Sequence, residues 1–132
     1  MPQPLPALVA TDLCVDLARG LPQAAAFFEA PPVEIRLSTV TYLELLALAR
    51  TPGEQRRLRR FVAPYAVLSL GPMASSRAVE LLLAHGLTDG LEPLQALMAA
   101  TALAHEIPLY TRSPSDFQEL DGLLEIVPVP AP

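Results

Sequence analysis

Apolar residues along the chain follow two rhythms. Five short runs, Leu8–Ala10, Glu34–Ser38, Ala66–Leu70, Ile107–Tyr110 and Leu124–Val127, have the length and content of strands, and four of them lack a polar–apolar alternation. Between them, apolar positions recur at helical spacing over Asp12–Arg19, Gln23–Glu29, Thr41–Ala49, Pro52–Val62, Met73–His85 and Pro93–His105. Strands buried on both faces read as continuous apolar runs, and helices between them supply the cover. The expected fold class is therefore α/β: a three-layer α/β/α sandwich with a mainly parallel, five-stranded sheet, in one domain over residues 1–132. Thr51-Pro52-Gly53-Glu54 is a helix start, with Thr at the N-cap, Pro at N1 and Glu at N3. Gly86 is expected to stop the helix that ends at His85. The tail Pro128–Pro132 is expected to fray.

In such a sheet, ligands sit outside the carboxyl ends of the strands, where strand order reverses. The residues to inspect are those just after each strand: Asp12, Thr41–Glu44 and Thr111–Asp116. Several carboxylates converging there would suit hard divalent cations that activate water and neutralise a phosphate. Local patterns offer a second reading. Thr41-x-x-Glu44 and Ser113-Pro114-Ser115-Asp116 both fit capping boxes, with the acid at N3. The two readings are compatible, because a residue one turn into a helix at a strand's end can face the pocket.

Composition narrows the classes. The chain is 52% hydrophobic with no Trp, enough for a full and mostly aliphatic core. Its nine basic residues are all Arg, against 14 acids, for a formal charge of −5. That balance argues against strong non-specific nucleic-acid binding, while leaving room for local contacts through Arg. The single Cys14 excludes an internal disulfide, and no His lies near it in sequence, so a buried thiol is expected. No basic segment precedes an apolar run at the N-terminus, and no apolar run approaches the ~18 residues of a membrane span. A cytoplasmic protein without a membrane partner is the expectation.

Four short stretches in order carry a family resemblance. They are Leu8-Val9-Ala10-Thr11-Asp12 running to Arg19-Gly20, Ser38-Thr39-Val40-Thr41-Tyr42-Leu43-Glu44, Gln95 at the head of an Ala-rich helix, and Thr111-Arg112-Ser113 with Asp116-Phe117. Together they resemble the PIN domain, as in VapC-type toxin ribonucleases, over nearly the whole chain. The resemblance implies a metal-dependent endoribonuclease that works as a homodimer and is neutralised by an antitoxin. It matches Glu44 and Asp116 to the family's metal-binding acids, which makes them the candidate catalytic residues. Placed without a gap, Ala10 falls where the family keeps a catalytic Asp, Asp12 on its Asn, and Gln95 on a further Asp.

Two of the four expected acids are thus replaced. Asp12 and Glu92 are the candidate substitutes, giving Asp12, Glu44, Glu92 and Asp116 as a possible rearranged set of metal ligands. Asp12 would lie one pleat beyond Ala10 if the strand runs that far, and Glu92 would share a helix face with Gln95. The structural alternatives are that Asp12 caps a helix and Glu92 sits in a solvated first turn. With charges thinned, weak or absent binding of Mg²⁺ or Mn²⁺ and little hydrolysis are expected. The functional classes are then a weakened ribonuclease or a non-catalytic module that binds RNA or an antitoxin-like protein.

Arg112, with Thr111 and Ser113, is the candidate contact for RNA or an acidic partner. Arg56-Arg57-x-Arg59-Arg60 is either a phosphate contact or the solvated face of a helix whose Leu58, Phe61 and Val62 point inward; the apolar spacing favours the second. His85 and His105 suit helix ends, with no zinc-like spacing around them. Phe27 and Phe28 fit either an interface or the core. No Gly-rich phosphate loop and no nucleophile elbow are present.

Overall fold

A computed structural model describes residues 3–129. Five parallel strands form one sheet: β1 (Pro6–Val9), β2 (Glu34–Ser38), β3 (Ala66–Leu68), β4 (Leu109–Thr111) and β5 (Ile126–Pro128). Their order is β3-β2-β1-β4-β5. Leu8 stands between Arg36 and Leu109 in the register, so β1 is central. The chain first winds outward from β1 to β3, then crosses back to β4. The switch in direction lies beside β1, between it and β4.

The helices are α1 (Thr11–Ala18), α2 (Pro22–Glu29), α3 (Thr39–Leu48), α4 (Pro52–Val62), α5 (Pro72–Asp89) and α6 (Pro93–Ala104), with a 3-10 helix over Pro114–Leu120. The pleat sends alternate side chains to two cores. Ala7, Val9, Ile35 and Leu37 join Leu13, Cys14, Phe27 and Val62 on one face. Leu8 and Leu109 join Ala78, Leu81 and the Ala99–Ala100 stretch on the other. Small residues on α6 let α5 and α6 pack closely over that second face. This is the expected three-layer α/β/α sandwich.

Several local expectations change. β1 ends at Val9, and Ala10 is the N-cap of α1, so no strand face carries Ala10 to Asp12. Thr41 is not an N-cap: β2 runs straight into α3, Ser38 caps it, and Glu44 lies beyond N3. Ser113 makes no side-chain cap, and the turn after it is 3-10. Gly86 lies inside α5, which continues to Gly90 in the left-handed region. His85 is therefore one turn inside the helix, where its Nδ1 meets Asp89 Oδ2 at 2.7 Å. Pro128 closes β5 opposite Thr111, and Val129 N–H donates to the Thr111 carbonyl at 2.8 Å, so the tail is ordered that far. Residues 130–132 lie outside the described residues.

Candidate functional site

The site forms where β1 gives way to α1. Ala10 supplies no polar group there; it is 3% exposed and packs with Leu8, Val40 and Ala96. The next two residues point to different neighbours. Thr11 reaches α3, and Asp12 reaches the exit of β4.

On the α3 side, hydroxyls form a directed chain. Ser38 Oγ donates to Thr41 Oγ1 at 3.2 Å, and the Thr41 and Thr11 hydroxyls lie 2.9 Å apart. Thr11 Oγ1 donates to Glu44 Oε1 at 2.7 Å. A hydroxyl carries one proton. With Thr11 donating to Glu44, Thr41 must donate to Thr11. Proton donation thus runs from Ser38 through Thr41 and Thr11 to the carboxylate. Such chains strengthen each member. Thr41 N–H also donates to Ser38 Oγ, which anchors the head of the chain.

On the β4 side, Thr111 Oγ1 donates to Asp12 Oδ2 at 2.7 Å and accepts from Ser113 N–H at 3.0 Å. Arg112 N–H approaches Asp12 Oδ1 at 3.4 Å. One turn along α1, Asp16 is 3% exposed and pairs with Arg112 Nε. A buried carboxylate needs such a partner. Both oxygens of Asp12 are thus engaged with β4 and the residue after it, and Asp12 caps no helix. Thr111 is buried with its hydroxyl in use, so it positions Asp12. Arg112 and Ser113 are partly exposed above it.

The remaining expected acids stand apart from this centre. Glu92 is the exposed N-cap of α6, and its N–H donates to Gln95 Oε1 at 3.0 Å. Gln95 is thereby turned back onto its own helix. Asp116 lies exposed in the 3-10 helix. Among the described residues, no three His, Cys, Asp or Glu side chains come close enough to share an ion. A hard divalent cation needs several oxygen ligands converging. The donor set does not fit one, and the four-acid set of Asp12, Glu44, Glu92 and Asp116 is not brought together.

Sequence reasoning named Glu44, Asp12 and Arg112 but missed Thr11, Ser38 and Asp16. The signal for Asp16 was present: it follows Asp12 by four residues and so shares its helix face.

Two concavities flank α4. One, about 630 Å³, has an apolar lining from Cys14, Leu17, Leu45, Leu48, Leu58 and Phe61, joined by Arg50, Glu54 and Arg57. The other, about 660 Å³, is lined by Tyr42, Arg56, Arg59, Arg60 and Tyr65 with Val62, Ala63 and Val67. Burial, aided by the charge of Asp12, pushes the Cys14 thiol up to about 12. Burial also raises Tyr65. Phe27 is buried and Phe28 packs edge-on to Phe27, Phe61 and Tyr65, so both belong to the core. His105 caps the C-terminus of α6. No helix among the described residues is long and apolar enough to cross a membrane.

No family model and no curated protein matches the sequence. Solved structures do. A chain of a toxin–antitoxin complex from Klebsiella pneumoniae is 26% identical, with a TM-score of 0.77 over 92% of this chain and 95% of that one. A chain of VapBC2 from Rickettsia felis, bound to a promoter DNA fragment, is 18% identical, with a TM-score of 0.75 over 92% and 97%. A chain of VapBC-5 from Mycobacterium tuberculosis is 22% identical, with a TM-score of 0.69 over 96% and 100%.

Proposed function

The chain has the PIN fold of VapC-type toxins, and on that premise we propose that it acts by binding, its hydrolytic centre reduced or lost. One observation carries this reading. At the switch point beside β1, Ala10, at the position where the family resemblance expects a metal-binding Asp, is sealed in the apolar core. The acids nearest that point, Asp12 and Glu44, are held by Thr111 and Thr11. What remains is a hydrogen-bonded clasp joining α1 to α3 and β4.

The partner in this reading is an antitoxin-type protein, as in the toxin–antitoxin complexes that share the fold. The apolar groove between α1, α3 and α4 suits a helical segment with an apolar stripe. Acidic residues on that segment would meet Arg50 and Arg57. A homodimer would cover the exposed Val79, Leu83 and Leu87 of α5. RNA is the remaining partner class, reached through contacts rather than cleavage.

The test is Mn²⁺ calorimetry and an RNA-cleavage assay on the natural chain, Glu44→Gln, and Ala10→Asp/Gln95→Asp. The natural chain is expected to bind no Mn²⁺ at millimolar metal and to leave RNA intact. Ala10→Asp places a carboxylate in an apolar cluster, which costs several kcal/mol unless a cation pairs it. The double variant should therefore melt lower than the natural chain and recover with Mn²⁺. Tight binding by the natural chain that vanishes in Glu44→Gln, with RNA cleavage, would establish a working ribonuclease instead.

A further inference from the structure

Arg56, Arg59 and Arg60 of α4 have no place in the clasp or in the lining of the apolar groove. Four of the chain's nine arginines fall at positions 56, 57, 59 and 60. Without them, 14 acids face five arginines, so nearly half of the positive charge of an acidic protein is gathered on one helix. All four are exposed. Among the described residues, the ion pairs with Asp or Glu involve Arg36, Arg77, His85 and Arg112 and none of these four. The nearest acid on the helix, Glu54, accepts from the Arg50 N–H instead.

Arg56, Arg59 and Arg60 stand at i, i+3 and i+4, one face of α4, where like charges repel. Arg59 and Arg60 gain something from the helix C-terminus, which favours cations. Arg56, mid-helix, gains nothing from it. All three nevertheless line a single concavity of about 660 Å³ rather than a ridge, with the phenols of Tyr42 and Tyr65 in the same wall. A solvated helix face needs neither the concavity nor the phenols. An anion with several charges at short intervals accounts for all of them.

We propose that this concavity is a second binding surface, for the phosphodiester backbone of a nucleic acid. It is independent of the centre beside β1. Three guanidinium forks lining one concavity suit a repeating phosphate chain. An acidic peptide would also want large apolar anchors, and the large ones, Leu45, Leu48, Leu58 and Phe61, line the other groove, whereas this concavity offers only Val62, Ala63 and Val67 beside its arginines and phenols. The backbone phosphates are common to every sequence, and with the three guanidinium groups engaged on them binding is expected to vary little with sequence.

The experiment is fluorescence anisotropy with the full chain, using a labelled single-stranded RNA and a labelled DNA duplex of mixed sequence across a salt series. Variants are Arg56→Ala/Arg59→Ala/Arg60→Ala, the same three changed to Lys, and Arg77→Ala on α5 as a control. With three phosphates contacted, log K should fall with log salt at a slope of about −2 for RNA and about −2.7 for duplex. The triple Ala variant should lose at least tenfold in affinity and most of the slope. The Lys variant should keep the slope at lower affinity, and Arg77→Ala should match the natural chain. Circular dichroism melting separates loss of the surface from loss of the fold, and the folded Lys variant carries the test if the Ala variant unfolds. Tighter RNA binding would identify single strands as the ligand; tighter duplex binding would identify DNA. Equal affinity of the natural and triple Ala chains, no binding to either nucleic acid, or displacement by poly-Glu as effective as by RNA would overturn the proposal. Loss of nucleic-acid binding with Mn²⁺ behaviour unchanged keeps this surface separate from the reading of the centre.

Discussion

Cys14 shows how much one buried position reports. It sits 2% exposed at the floor of the apolar groove, and its thiol is pushed up to about 12, first by burial and then by Asp12. Only the thiolate reacts with alkylating agents. A rise from 9.0 to about 12 lowers the thiolate fraction at pH 8 roughly a thousandfold. Iodoacetamide should therefore label native protein about a thousand times more slowly than urea-unfolded protein, read by intact mass over time; equal rates would refute the burial. The same shift sets a pH dependence. The folded state favours the protonated thiol, so this stabilisation is full below the unfolded value near 9 and is lost as pH rises towards 12. Cys14→Ala should flatten that part of the alkaline melting curve. The neighbouring polar residues obey the opposite need. Asp16 and Glu44 are met by partners there, Arg112 on the first and Thr11 on the second.

At the scale of elements, helix ends decide most of what differs from the local pattern. Gly86 looks like a stop, yet α5 passes through it, carried by the His85–Asp89 contact, and ends at Gly90 with φ +74°. The two glycines should answer Ala with opposite signs. Gly90→Ala forces a Cβ into the left-handed region and should cost about 1 kcal/mol. Gly86→Ala gains helix propensity worth up to about 1 kcal/mol, reduced by a Cβ contact of 3.3 Å with Leu82 Cδ1. Thermal melts of both variants check this, and a loss at Gly86 equal to that at Gly90 would refute it. Most strands were legible because buried parallel strands are continuously apolar, and β2, which alternates polar with apolar residues, falls on Glu34–Ser38 as read. The caps were less so. Ser38 and Thr41 are both able caps, and only the abrupt end of β2 decides for Ser38 and frees Thr41 for the hydroxyl chain. Glu44 and Asp12 stood out as acids after strands, but their partners come from 33 to 100 residues away. No local pattern carries such pairings. Ala10 and Gln95 are conspicuous only against a family that keeps acids there.

At the scale of the whole molecule, the outer side of α5 is a surface that its own core does not account for. Ala74, Ala78 and Leu81 turn the inner face of α5 onto the sheet. Its outer face carries Val79, Leu83 and Leu87 at spacings of four, and Leu83 and Leu87 are 80% and 101% exposed. Single exposed leucines are ordinary, but a continuous apolar stripe on a monomer is costly in water and marks a contact surface. The proposed homodimer supplies the cover, since a two-fold axis lets the same stripe meet itself. Leu83→Glu/Leu87→Glu tests it cleanly, because both side chains are already in solvent and their loss removes nothing from the fold. Sedimentation equilibrium should show a dimer for the natural chain at micromolar concentration and a monomer for the variant. The natural chain should also melt higher as its concentration rises, and the variant should not, because only a dimer is stabilised by mass action. A natural chain that stays monomeric at every concentration would remove the dimer from the proposed function and leave the stripe free for another protein.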